Sequence, residues 1–415
     1  MKKLFILLFI TNVVLTSCSN NNDSPIIPVD PTPTGDVEVN VTGAISSNTT
    51  WTADKIWVLN NKVVVEDGAT LTIEPGTIIK GTEGAGSLAS GLIIARGGKI
   101  NAVGTADKPI IFTSVRDNIN IGEQWGTNLT IDDNSLWGGV LILGKAKGSF
   151  SGDVSEFQIE GIPASDSFGL YGGNDDADNS GNFEYVRICH GGAEIGAGNE
   201  INGLTLGAVG SGTTISNIEI YATYDDGIEF FGGAVNPSNI LIWHQGDDGL
   251  DIDQAYHGTI SNALVILGNT SDSATEIDGG EGSYQARFTE KNITLIGHAD
   301  APGGKFADFR DNAQGTLENI YAYNFQPTSY VRIKNDNVAQ NYNNGLLEFI
   351  NWEMVLPTGV ASVNDLFQDH SENNLAPTFG ADSSNWATAI TEGSETTGCD
   401  TSVFTWTYAY NQNAF

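Results

Sequence analysis

Asp225-Asp226-Gly227-Ile228-Glu229-Phe230 returns as Asp247-Asp248-Gly249-Leu250-Asp251-Ile252. The two strings lie 22 residues apart (247 − 225), and in each an Asp-Asp-Gly turn feeds an alternating run. A repeat of this length, with a turn signal ahead of a strand, marks one coil of a parallel β-solenoid. Solenoids stack equivalent positions at strand spacing, about 4.8 Å. Two acidic turns one coil apart therefore become one acidic patch in space.

The flanking sequence extends the pattern in both directions. VVVEDGATLTIEPGTIIKG (63–81) and GLIIARGGKINAVGTADKPIIFTS (91–114) are short β-branched runs broken by Gly, Asp-Gly or Pro-Gly, without helical periodicity. Thr-(Ile/Leu)-x-Asn recurs at Thr214–Asn217, Thr259–Asn262 and Thr316–Asn319. An asparagine at a fixed turn tolerates the left-handed backbone and can ladder through its side-chain amide. A sandwich would also give short strands, but not the same residues at each corner. The expected fold is all-β, a right-handed parallel β-helix over residues 41–337 with a C-terminal cap over 338–415, where the repeat fades. An open solenoid end needs such cover.

The N-terminus carries a separate message. Lys2 and Lys3 precede the mostly apolar run Leu4–Val14, which is the layout of a secretory signal and too short to span a bilayer. Leu15-Thr16-Ser17-Cys18 resembles the bacterial lipobox. That resemblance implies a signal peptide over 1–17, cleavage before Cys18 and lipid on its thiol, anchoring the protein without a spanning helix. Residues 18–40 read as a Pro-, Asn- and Thr-rich tether.

Formal net charge is −33, and −35 without Lys2 and Lys3. Such acidity argues against nucleic acid and anionic membranes as partners. Aromatics at 9% and charged residues at only 17% exclude a disordered acidic tail, while 50 glycines fit a turn-rich β-protein. Besides Cys18 there are Cys189 and Cys399. A disulfide between them and a buried free Cys189 are both compatible with the sequence.

Three groups of residues could carry chemistry. Asp176-x-Asp178-x-Ser180-Gly181, with Glu184 beyond, has the alternating oxygens of a calcium loop. The twelfth position is Arg187 and no helices flank the loop, so an EF-hand is rejected. The alternative is a solvated Asx-rich turn. The second group is a column: aligning coils by their strands puts Glu229, Asp251, Glu276 and Asp308 at one position, with Phe230, Ile252, Ile277 and Phe309 as inward neighbours. Carboxylates near 5 Å apart repel by roughly 1 kcal/mol per pair in water and by more when drier, so they require a cation, hydrogen bonds or a shared proton. A solvated acidic face closed by backbone N–H groups is the competing reading. The third group is aromatic, Trp243 with Tyr221 and Tyr224, able to stack on sugar rings or to fill coil corners.

Several strings resemble a family of secreted and lipid-anchored β-helix lipoproteins of Bacteroidetes. They are DGATLTIEPGTIIKG (67–81), WGGVLILGKA (137–146), GGNDDADNSGNFEYVRI (172–188), GNEINGLTLGAVGSGTTI (198–215), DDGIEFFGGAVN (225–236) and DDGLDID (247–253). The resemblance implies fold and location and says little of chemistry. Gly246-Asp247-Asp248 and Arg332-Ile333-Lys334 are similar to strings of the pectin-degrading polygalacturonases, which are also right-handed β-helices. In that analogy Asp226, Asp247 and Asp248 supply general acid and base, and Arg332 and Lys334 grip a uronate. The Gly-His-Gly of that family is missing; His257 lies only nine residues after Asp248 (257 − 248). In lyase chemistry Lys334, Arg332 or Arg287 would serve as base beside a calcium ion.

The expectation is a calcium-supported lipoprotein anchored in the outer membrane, facing the cell surface and binding an extracellular glycan or a partner membrane protein. The alternatives are a polysaccharide hydrolase or lyase acting on uronate-rich glycans, and a structural surface protein or adhesin.

Overall fold

A computed structural model describes residues 37–415, except 164, 197–198 and 302–303. The signal peptide, Cys18 and nearly all of the tether lie outside the described residues. The tether's expected end at residue 40 is shortened, because Glu38 already opens a strand paired with Ile56.

The chain is a right-handed parallel β-helix. One ladder of short strands runs from Gly43–Ile45 to Phe367–Asp369, passing through Leu204–Gly207, Ile228–Phe231, Leu250–Asp253, Thr275–Asp278, Ala307–Arg310 and Val331–Ile333. Ile228 pairs with Leu250, which is the 22-residue coil of the repeat. Other coils are longer: Leu204 to Ile228 takes 24 residues (228 − 204) and Leu250 to Thr275 takes 25 (275 − 250). The repeat thus records one coil length, while the neighbouring coils absorb extra residues in their loops.

A second ladder stacks longer strands, Gly181–Cys189, Thr214–Tyr221, Ser238–Trp243, Thr259–Ile266, Phe288–Ile296, Gly315–Tyr323 and Leu347–Val355. Each bends at a left-handed residue, Tyr185 (φ 49°) in the first and Asn217 (55°), Asn239 (57°), Asn262 (56°), Asn292 (57°), Asn319 (59°) and Asn351 (53°) in the six that follow. The asparagine amides form a ladder, as Asn239 Nδ2 donates to Asn217 Oδ1 (3.1 Å) and Asn262 Nδ2 to Asn239 Oδ1 (2.8 Å). Inside, Phe230, Ile252, Ile277 and Phe309 stack with Ile220, Ile242 and Val265 in a dry core.

Two long insertions leave the same coil, at residues 115–139 and 144–180. The second lays Phe150, Ile159, Ile162 and Tyr171 over the outward side chains Val64, Ile93 and Leu141 of the short ladder.

The division at residue 338 changes. Strands Leu347–Val355, Phe367–Asp369 and Ala387–Ile390 extend both ladders in parallel register, so coiling continues to Ile390. The aromatic residues Phe349, Phe367, Phe379 and Trp386 fill the core there. The last stretch then folds back along the long-strand face. Cys399 N–H donates to Thr294 Oγ1 (3.0 Å), Asp400 N–H to Asn262 Oδ1 (2.6 Å), and Ala409 N–H to Glu219 Oε1 (2.9 Å). Cys189 and Cys399 are both free thiols.

Candidate functional site

The pleat of the short ladder decides which side chains share a face. One outward position reads Val64, Ile93, Leu141, Thr205, then Glu229, Asp251, Glu276, Asp308, then Arg332 and Gln368. Its apolar third lies under the 144–180 insertion, and the acidic column begins where that cover ends. The four expected carboxylates therefore do stand in one file. A parallel file two residues on carries Phe231 beside Asp253 and Asp278 beside Arg310. Sequence reasoning missed this second file, although period-two alternation from Asp251 and Glu276 points to Asp253 and Asp278.

Cations neutralise only one end of the face. Arg310 pairs with Glu276 and, at 3.1 Å, with Asp278. Arg332 grips Asp308 with two hydrogen bonds, and Lys305 joins Asp272 and Asp308. Among the described residues no salt bridge reaches Asp226, Glu229 or Asp251. Ligand oxygens of these three lie within 4.8 Å of one another. Burial, followed by like-charge neighbours, holds all three carboxyls well above the usual range. Asp251 Oδ1 is buried without a hydrogen-bond partner. Asn202, 3% exposed, donates from Nδ2 to Glu229 and leaves its own carbonyl oxygen unpartnered.

The turns above the file are tied differently. Asp226 Oδ1 accepts from the backbone N–H of Asp248 (2.8 Å), and Asp248 Oδ1 accepts from that of Ser273. Each carboxylate thus closes the turn of the next coil. Burial and Asp247 push Asp248 up to about 8, while burial and Glu281 push Asp253 up to about 7. Asp247, more exposed, converges with Asp225 and Asp226 on one side and with Asp248 and Asp272 on the other.

Beyond the second file lie two adjoining cavities that share Asp253 and Glu281. One, of about 460 Å³, adds Asp278 and Asp311. The other, of about 410 Å³, has Phe157, Tyr171 and Phe231 in its wall. Tyr171 donates to Gln254 (2.6 Å), whose amide donates to Glu281 (2.8 Å), so the wall is fixed by hydrogen bonds. Neither Asn202 nor this wall carried a local motif; both reach the face through loop packing.

Three expectations are corrected. Asp176, Asp178, Ser180 and Glu184 do not converge on one point. Asp176 and Asp178 accept from the backbone N–H groups of Lys147 (3.0 Å) and Lys145 (3.1 Å), Ser180 N–H donates to Thr213, and Glu184 meets Ser216. These contacts pin the 144–180 insertion. Trp243 is not on the acidic face; it belongs to the long-strand ladder, under Tyr408 at 6.0 Å, and Tyr221 stacks on the same Tyr408 at 4.8 Å. Tyr408 of the chain's own tail thus packs against both rings. Arg332 lies four rungs from the Ile228–Phe231 strand that Asp226 precedes, about 19 Å at strand spacing, and three rungs, about 14 Å, from the Leu250–Asp253 strand that Asp247 and Asp248 precede. Arg332 and Lys334 therefore do not join Asp226, Asp247 and Asp248 in one grip.

Residues 43–411 match the pectate-lyase-like β-helix domain family. The chain belongs to that family. No curated protein and no solved structure gives a match. Membership in the pectate-lyase-like group agrees with the ladder geometry and with the fold-level likeness to polygalacturonases.

Proposed function

We propose that this pectate-lyase-like domain is displayed on the outer membrane by a lipid on Cys18 and binds an acidic extracellular glycan through a divalent cation, calcium by its donor chemistry. The observation that supports the binding reading is the Asp226–Glu229–Asp251 group: two buried carboxylates and a half-buried one, with converging oxygens and, among the described residues, no salt-bridge partner. Hard oxygen donors suit calcium, and Asn202 offers a neutral oxygen beside them. A cation held at a part-open carboxylate file keeps residual positive charge for a uronate, which the negative protein surface would otherwise repel. The aromatic wall of Phe157, Tyr171 and Phe231 lies on the same face and gives ring surface for a sugar. A partner membrane protein is the other ligand class, and the acidic surface argues against nucleic acid.

Calorimetric titration of calcium into the protein tests this reading. The expected result is saturable binding that falls at least tenfold in Asp251→Asn, together with calcium-dependent retention on polygalacturonate beads. Calcium binding of equal strength in wild type and variant would overturn it.

The family and the raised carboxyls of Asp248 and Asp253 favour a second reading, cleavage of uronate-rich polysaccharide with a carboxyl as general acid. New reducing ends or unsaturated products, lost in Asp248→Asn, would establish it. Bead retention without turnover would leave binding, or a surface adhesin role.

A further inference from the structure

A second cluster of ligand-type side chains lies away from the acidic file, where the 115–139 insertion meets the end of the Gly181–Cys189 strand. A carboxylate oxygen of Asp117, the Sγ of Cys189 and an imidazole nitrogen of His190 all lie within 4.8 Å of one another. The three residues are 5%, 1% and 2% exposed. Cys189 points outward from its strand, at the register position of Tyr221. His190 follows at φ 62°, turning the chain, and the insertion returns Asp117 to the same point.

The surroundings orient each of these groups, and the Cys189 thiol, as it stands, donates to the carbonyl oxygen of Phe112 (3.4 Å). His190 Nδ1 lies 2.6 Å from the carbonyl oxygen of Asp133. Only an Nδ1–H can donate there, so Nε2 keeps the lone pair. A backbone carbonyl behind a ligating imidazole is how proteins fix the tautomer of a metal-binding histidine. Asp117 Oδ2 accepts from the Thr113 hydroxyl (2.8 Å) and Oδ1 from Ile119 N–H (3.0 Å), which leaves lone pairs on both oxygens. Lys80 Nζ locks the same turn by donating to the carbonyls of Asp117 (2.8 Å) and Ile119 (2.9 Å).

We infer that Asp117, Cys189 and His190 bind a divalent ion of the zinc class, which clamps the 115–139 insertion to the coil. A thiolate, an imidazole and a carboxylate suit zinc or its neighbours and disfavour calcium, which takes oxygen donors alone. Two anionic ligands neutralise a divalent ion, so the complex carries no net charge into its buried place. Tetrahedral bonds of about 2.0–2.3 Å put ligand atoms ~3.3–3.7 Å apart, so the cluster, with its atoms within 4.8 Å of one another, tightens by at most ~1.5 Å. Binding releases the Cys189 thiol proton to solvent, and a water completes the fourth position. Because the site is enclosed, the ion enters as the chain folds.

The test is to refold the full, reduced chain with cobalt(II) or zinc in the presence of excess calcium, after chelator treatment. The expected result is about one tightly held ion per chain by elemental analysis, with thiolate-to-cobalt charge-transfer absorption and tetrahedral d–d bands. Both signals should vanish in Cys189→Ser and His190→Gln and persist in Cys399→Ser and Asp251→Asn. The last variant separates this site from the carboxylate file. Refolded wild type that holds no zinc and shows no thiolate band would overturn the inference, as would an undiminished band in Cys189→Ser.

Discussion

Glu290 shows how far a single side chain departs from its sequence pattern. It shares a register position with Ile260 and Leu317, both core residues, and so points inward, 1% exposed. Its companion is the Thr275 hydroxyl, which donates to Oε1 at 2.8 Å. Burial pushes its carboxyl from 4.5 up to about 7. The folded state therefore binds a proton that the unfolded chain gives up earlier, so stability is full below about pH 4.5 and is lost as pH rises toward 7. Glu290→Gln keeps the acceptor for Thr275 and removes the ionisation. At pH 8 the variant should exceed wild type in urea stability by on the order of 2 kcal/mol, with the gap closing at pH 4.5. A gap independent of pH would reject this account.

At the scale of elements, one ion pair fastens the end of the C-terminal strap. Arg187 and Glu219 are fully buried neighbours on adjacent long strands, with Arg187 Nε 2.6 Å from Glu219 Oε2. Glu219 also accepts from the backbone N–H groups of Tyr408 and Ala409, both at 2.9 Å, so the same carboxylate neutralises the arginine and fastens the tail. Trp125 and Trp406 lie 5.8 and 5.9 Å from the guanidinium. Glu219→Gln leaves Arg187 charged and buried without its counter-ion, which should cost about 3–5 kcal/mol in denaturant unfolding. Limited proteolysis should then cut within residues 391–415 before the coil. A loss under 1 kcal/mol, with the tail still protected, would show that the strap is held by its aromatic contacts.

The whole molecule carries its excess charge unevenly. Asp226, Glu229, Asp248, Asp251, Asp253 and Asp278 all have raised carboxyls on one face. Each holds its proton to higher pH folded than unfolded, so in chelator their contribution to stability is full below the unfolded value of 3.8 and is lost as pH rises through 7 to 8, the values of Asp253 and of Asp248 and Asp278. Calcium at the file would replace those protons as the compensating charge. Its addition should raise the melting temperature at pH 8 by several degrees and flatten the slope with pH. A melting temperature that rises from pH 5 to 8 in chelator would contradict this electrostatic picture.

The β-helix and the register of the acidic file were legible in the sequence because both depend on local periodicity. A two-residue pleat and a near-constant coil put Glu229, Asp251, Glu276 and Asp308 in line wherever the chain coils. The Asn corner was legible for the same reason: a left-handed turn selects its residue type locally. The sequence alone could not show which carboxylates lack a cation, since Arg310 and Arg332 reach back one coil to their partners. Nor could it show that the tail covers Trp243, that the calcium-like loop pins an insertion, or that Asp117 meets Cys189 and His190 some seventy residues on (189 − 117). Those contacts join segments distant along the chain. Loop closure and packing decide them, and these leave no periodic trace in the order of residues.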